Sequence, residues 1–303
     1  MGRTEILRIT AIVAIVTCAA DSCYISKTGE IPHFDRNRAF SYLEYQVALG
    51  PRVPGTKTHE DAMNWIVGRL RTYTPRVQIQ QFQCTYAGNE VTMHNILASF
   101  YSEKRERVLL CAHWDSRHHA DRDPDAGKWL EPVPGANDGA SGVAVLLEIA
   151  AALTQSEPSV GVDIVLFDGE DGGTYGDNTT WLLGSRHFAR TMPPSYRPEY
   201  AILLDMIGDS DLVLSKDVNS IAAAPDLWNR IRDLCVTLAI PVSSYEMDIV
   251  DDHRPLIERG IPAIDLIDFD YPSWHTVSDT PDKCSAESLE KIGTLVLTLI
   301  YGE

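Results

Sequence analysis

Asp138, Asp171 and His275 are two carboxylates and an imidazole, the ligand types of an open zinc site. Three protein ligands leave one position for substrate, which marks catalytic rather than structural zinc. Glu170 adjoins one of them. Its side chain lies near the metal without needing to bind it, which suits a general base or acid. Neighbouring carboxylates should raise its pKa and help it hold a transferable proton. Taken singly, each residue has a plainer explanation. An Asp before a helix, like Asp138, is usually an N-cap. A Glu-Asp pair after a strand is usually a solvated turn. A His beside a Trp, like His275, is usually structural, and Asp205 could merely bond loop amides.

The elements that carry these residues argue for the joint reading. Residues 108–112 are a short apolar run that reads as a buried strand, 162–167 read as another buried strand, and 201–204 and 261–267 read as strands. Helical patterns at 141–153, 181–190, 227–238 and 286–299 alternate with them. Val145, Leu146 and Ile149 mark one side of the first. Two further helices come earlier, one through Phe40, Leu43 and Val47 and one through Ala62, Ile66 and Leu70. Strand patterns at 77–82 and 91–100 follow them. Strands apolar on both faces alternating with helices predict an α/β fold, with a mostly parallel central sheet and helices on both faces. Ligand sites in such sheets form beyond the C-terminal ends of strands. His113-Trp114-Asp115, Asp168-Gly169-Glu170-Asp171 and Asp205 fall there, and Trp274-His275-Thr276 follows the last strand after a short loop. The run Pro134 to Gly142 precedes a helix, and its glycines permit tight turns and close backbone approach.

Bulk properties narrow the classes. The chain has 303 residues, 44% hydrophobic and 23% charged, with a formal net charge of −17. That suits a soluble globular protein and disfavours nucleic acid or anionic lipid as partner. Arg3 and Arg8 bracket a short n-region ahead of an apolar stretch at 9–20 that is too short to span a bilayer. Residues 1–20 are therefore expected to be a signal segment, with residues 30–303 one catalytic domain and no transmembrane domain. The expected destination is periplasmic or secreted, with Cys18 a candidate lipid attachment point. Six cysteines, Cys18, Cys23, Cys84, Cys111, Cys235 and Cys284, form no C-x-x-C pair, which argues against a zinc knuckle. A disulfide among the last four is open, and Cys111 is expected simply to be buried.

At the residues quoted above the chain resembles the zinc aminopeptidase and glutaminyl cyclase superfamily. The matching segments are Ala112-His113-Trp114-Asp115-Ser116, the loop from Gly135 to Gly142, Phe167 to Asp171, Leu203-Leu204-Asp205-Met206-Ile207-Gly208 and Trp274-His275-Thr276. They spread in the family's order from about Gly50 onward. For a two-zinc aminopeptidase, the resemblance implies His113, Asp138, Asp171, Asp205 and His275 as ligands, with Glu170 as base. The family's usual residue at the Asp171 position is Glu.

Three features resemble the glutaminyl cyclases in particular. Val250-Asp251-Asp252-His253-Arg254-Pro255 matches their Asp-Asp-His-x-Pro segment, which implies a proton network between Asp251 and Asp205. Trp274 before His275 matches an aromatic pocket wall, and Gly184-Ser185-Arg186-His187 matches the run after the Glu-Asp loop. The resemblance implies one zinc on Asp138, Asp171 and His275, Glu170 as proton shuttle, Trp274 against the substrate, and peptide N-termini as substrates. The product would be pyroglutamate, with release of ammonia. Two departures are present: Asp265 stands where animal cyclases carry a histidine, and the loop from Tyr271 to Trp274 is shorter. The alternatives are the two-zinc aminopeptidase, with His113 and Asp205 at the second ion, and an inactive binding module, which predicts lost ligand residues.

Overall fold

The computed structural model describes residues 27–302. The expected signal segment, residues 1–20, lies outside them, as do Cys18 and Cys23. In chain order, strand β1 (Lys27–Thr28) precedes helices α1 (Arg36–Ala48) and α2 (Lys57–Tyr73). The Asp35 carboxylate caps α1, and the Thr56 hydroxyl caps α2. Strands β2 (Val77–Tyr86) and β3 (Asn89–Phe100) form a hairpin. Ala87 and Gly88 turn it with φ of 47° and 80°. Next come β4 (Arg107–His113), α3 (Ala140–Ala152), β5 (Ser156–Glu157), β6 (Gly161–Phe167), α4 (Leu183–Thr191) and β7 (Ala201–Asp205). The chain continues through β8 (Leu214–Asp217), α5 (Val218–Ala223), α6 (Pro225–Thr237), β9 (Val242–Met247), α7 (His253–Glu258), β10 (Ala263–Ile267) and α8 (Ala286–Tyr301).

Six strands form the central sheet in the order β10-β7-β4-β6-β3-β2. The four from β10 to β6 run parallel, and β3 pairs antiparallel with both β6 and β2. The expected α/β class with a mostly parallel sheet and helices on both faces therefore holds. Side-chain alternation explains why both faces are covered. Val108, Leu110 and Ala112 of β4, Ile164 and Leu166 of β6, and Ile202 and Leu204 of β7 enter one core. Helices α1, α2, α3 and α8 share that side. Leu109 and Cys111, Val165 and Phe167, and Ala201 and Leu203 enter the opposite core, under α4 and α7. Each such aliphatic side chain contributes about 1.5–3 kcal/mol on burial. This rigid sheet is what can carry a rim of buried acids.

The structure differs from expectation in several elements. Helix α3 is buried all round rather than on one side, because it lies between the sheet and helices α1 and α8. Gly142 makes this possible: a Cβ there would sit 2.2 Å from the Leu204 carbonyl oxygen. Strands β8 and β9 and helices α5 and α7 were not anticipated. They are short, and polar residues such as Lys216 and Glu246 break any apolar run. Cys84, Cys111, Cys235 and Cys284 are all free thiols, and Cys111 is buried, as expected. Among the described residues no helix is long and apolar enough to cross a membrane.

Candidate metal centre and active site

Four loops meet at the C-terminal ends of the parallel strands. His113 is the last residue of β4, Asp205 the last of β7, and Glu170 and Asp171 lie just beyond β6. Asp138 stands in the loop before α3. It does not cap that helix; Gly139, with φ of 89°, occupies the N-cap position without a side-chain bond. The Asp138 carboxylate is thus free to face the site. The Asp138 loop is fixed from behind. Arg52, fully buried, donates to the Trp114 carbonyl at 2.9 Å and the Gly135 carbonyl at 2.6 Å. Asp279 accepts the N–H groups of Asn137 at 2.8 Å and Asp138 at 3.1 Å. Burial lowers the Arg52 guanidinium to about 10 and raises the Asp279 carboxyl to about 7.

Among the described residues, two groups of three bring ligand atoms within 4.8 Å of one another: Asp138, Asp171 and His275, and His113, Asp138 and Asp205. Asp138 belongs to both. His275 Nε2 lies 3.0 Å from Asp171 Oδ1 and 3.6 Å from Asp138 Oδ2. Burial lowers the His275 imidazole to about 3, so it is neutral, the form that binds metal. Asp138 Oδ2 and Asp171 Oδ2 are buried without a hydrogen-bond donor. An orphaned buried acceptor is costly, and a divalent cation satisfies two such oxygens and an imidazole nitrogen together. The donor set fits zinc. In the second group, His113 Nε2 lies 3.0 Å from Asp138 Oδ1 and 3.1 Å from Asp205 Oδ1.

Two of the six non-glycine residues with positive φ among the described residues lie here. His275 has φ of 56°, and Met206, directly after Asp205, has φ of 46°. Non-glycine residues held in the left-handed region gather at functional sites.

The acids share a low-dielectric pocket of about 270 Å³. Glu170 and Asp251 both line it, with Trp181, Ile249, Phe269 and Trp274 as apolar walls. Burial raises Glu170 well above the ordinary carboxyl range, and the charges of Asp251 and Asp171 add to it against the opposing pull of His113. Asp251 rises to about 7, through burial and then the Asp205 carboxylate. Burial and then the charges of Asp251 and Asp205 raise the Asp265 carboxyl well above the ordinary range, and it lies 3.7 Å from His253 Nδ1. Ser185 donates to Asp252, so two of the segments that resembled the cyclases touch each other. A larger cleft of about 730 Å³ beside Asp268 and Asp270 contains none of the expected site residues.

Several contributors escaped the sequence reading. The Asp115 carboxylate accepts the N–H groups of Glu170 and Asp171, each at 3.2 Å. Arg117 donates to the Asp171 carbonyl at 2.9 Å. Tyr175 and Trp181 come from the loop after Asp171 and line the pocket beside His275. Asp115 lay inside a quoted segment, but nothing local marked its role; Arg117 and Tyr175 carried no signal at all.

A rim of buried carboxylates and imidazoles on a mostly parallel sheet covered by helices is the architecture of the zinc exopeptidase-like α/β fold. Residues 95–300 match peptidase family M28, and the chain belongs to that family. A Zn-dependent exopeptidase from Parabacteroides distasonis superposes with a TM-score of 0.86 at 35% identity, covering 90% of this chain and 100% of that one. The glutaminyl cyclase of Tannerella forsythia gives a TM-score of 0.85 at 37% identity, over 90% and 100% of the two chains. The glutaminyl-peptide cyclotransferase of Drosophila melanogaster is 24% identical over 279 residues, 82% of this chain and 76% of that protein.

Proposed function

We propose that this chain is a zinc-dependent glutaminyl-peptide cyclotransferase that converts N-terminal glutamine of peptides to pyroglutamate with release of ammonia. The observation that carries the reading is Asp251, which faces Glu170 and Asp205 in the same pocket as Asp138, Asp171 and His275. The likeness to the Tannerella forsythia and Drosophila melanogaster proteins supports it.

Asp138, Asp171 and His275 would hold one zinc ion. When bound there, zinc supplies Lewis-acid polarisation of the substrate's γ-carbonyl. Glu170 acts as the shuttle. It takes a proton from the attacking α-amine and returns it to the amide nitrogen, which departs as ammonia. Asp205 and Asp251 orient the amine and amide by hydrogen bonds as the carbon becomes tetrahedral. The small pocket folds the flexible glutamine side chain back on its own amine, the proximity contribution. Trp274 packs on that side chain and excludes water, so cyclisation outruns hydrolysis. The first twenty residues would direct export to the periplasm or beyond, and residues 30–303 form the catalytic domain. N-terminal sequencing of the mature protein tests that division.

A second reading, a two-zinc aminopeptidase, is favoured by one observation, the group His113, Asp138 and Asp205. Zinc-loaded protein incubated with a Gln-initiated peptide separates the two by mass. Loss of ammonia from an intact peptide, at one zinc per chain, is expected. Release of the whole first residue, at two zinc per chain, would replace the cyclase reading with the peptidase one.

A further inference from the structure

We propose that Tyr175 is the positioning residue for His275: it accepts the Nδ1 proton and so fixes the imidazole with Nε2 towards Asp138 and Asp171. The inference rests on the metal site proposed above. An imidazole that offers Nε2 to a metal carries its proton on Nδ1, and that proton requires an acceptor. Tyr175 Oη lies 2.9 Å from His275 Nδ1. The Asp121 carboxylate, at 3.7 Å, is beyond hydrogen-bonding distance. Trp274 packs against the imidazole with ring centroids 4.1 Å apart, and its indole has no acceptor to offer.

Tyr175 is itself unusually well held for a residue 46% exposed at a loop tip. The Arg122 guanidinium lies 4.8 Å from its ring centroid and Arg117 lies 5.3 Å from it. Arg122 Nε also donates to the phenol oxygen at 3.2 Å. Arg117 reaches back to the Asp171 carbonyl at 2.9 Å, so one guanidinium joins the tyrosine to the opposite ligand. The base of the loop is tightly packed, because a Cβ on Gly172 or Gly173 would lie 1.8 Å from the ring of Tyr86 or Trp181. A rigid loop thus delivers a neutral oxygen to a place where ligating histidines commonly find a carboxylate or backbone carbonyl.

The test is Tyr175→Phe, which keeps the ring and its two cation contacts and removes the hydroxyl, the acceptor for both His275 Nδ1 and Arg122 Nε. Zinc affinity is measured by competition with a chromogenic chelator, alongside the melting temperature of the metal-free protein and cyclisation of a Gln-initiated peptide. The expected result is zinc binding weakened about 10- to 100-fold, the usual cost of an outer-shell partner, with an unchanged metal-free melting temperature. Wild-type zinc affinity in the variant overturns the inference and leaves the proposed activity standing. A drop in metal-free melting temperature that accounts for the lost zinc overturns it too, since the role is then structural. Weakened zinc binding in a wild-type background that does not cyclise upholds the inference and removes the proposed activity instead. Absence of zinc binding by the wild type overturns both.

Discussion

The Asp115 carboxylate accepts the backbone N–H of Asp171 at 3.2 Å, so the loop after β6 hangs from the loop after β4. The other oxygen takes the N–H of Glu170 at the same distance. One fully buried acid thus sets the backbone of both the proposed shuttle and a proposed metal ligand. Asp115→Ala orphans both donors. Unfolding by urea should show a loss of about 3 kcal/mol or more, the cost of two buried unsatisfied groups. Zinc affinity should fall in parallel. Unchanged values for both would mean that the loop is held by other contacts.

Glu170→Gln keeps the shape of the side chain and removes its capacity to carry a proton. Cyclisation should fall about 10²- to 10⁴-fold, the range of general acid–base contributions. Zinc content, read by atomic absorption, should stay at the wild-type level because Glu170 belongs to neither metal group. Retained turnover would assign the proton transfer elsewhere.

His275→Ala removes the only imidazole in the group it shares with Asp138 and Asp171. Zinc content after dialysis should drop to background, and added zinc should not restore cyclisation. Unchanged zinc would move the metal to the group containing His113.

Acid stability should depend on Asp217, far from the metal ligands in sequence. Burial pushes its carboxyl up, but His253, the Ile249 N–H and the hydroxyl and N–H of Ser220 outweigh that and hold it well below the ordinary value of 3.8. A depressed folded-state pKa contributes stability that is fully present above the unfolded value and is lost as pH falls through the folded one. Asp217→Asn should therefore be less stable than wild type at pH 7. The gap should begin to close only below about pH 4. Urea midpoints of chelator-treated protein across that range check it, and a gap independent of pH would exclude an electrostatic origin.

The legible part of this chain is the part governed by short periods and strand ends. Residues 108–112 and, apart from Asp163, 162–167 are apolar on both faces, and they lie between helices on both faces. Asp138, Asp171 and His275 could be grouped because each follows or precedes such an element, and the structure brings all three together. The opposite holds where a partner lies far along the chain. Tyr175 meets His275 across 100 positions and Arg117 meets Asp171 across 54, and no local pattern records either pairing. Strand β9 escaped notice because none of its six residues is fully buried, so hydrophobic alternation had little to write. Asp138 looked like a helix cap because Asp often is one, whereas Gly139 takes that position.

The bare α-carbon of Gly142 lets helix α3 rest on β7 main chain to main chain. The backbones that carry Asp138 and Asp205, joined at their side chains by His113, are thereby set in direct contact. Outward changes on α3 can be absorbed by its neighbours, but even one methyl group at this point must lift the helix as a body. The gap between the two acids would widen with it, so a position without any functional group acts as the gauge of the catalytic opening.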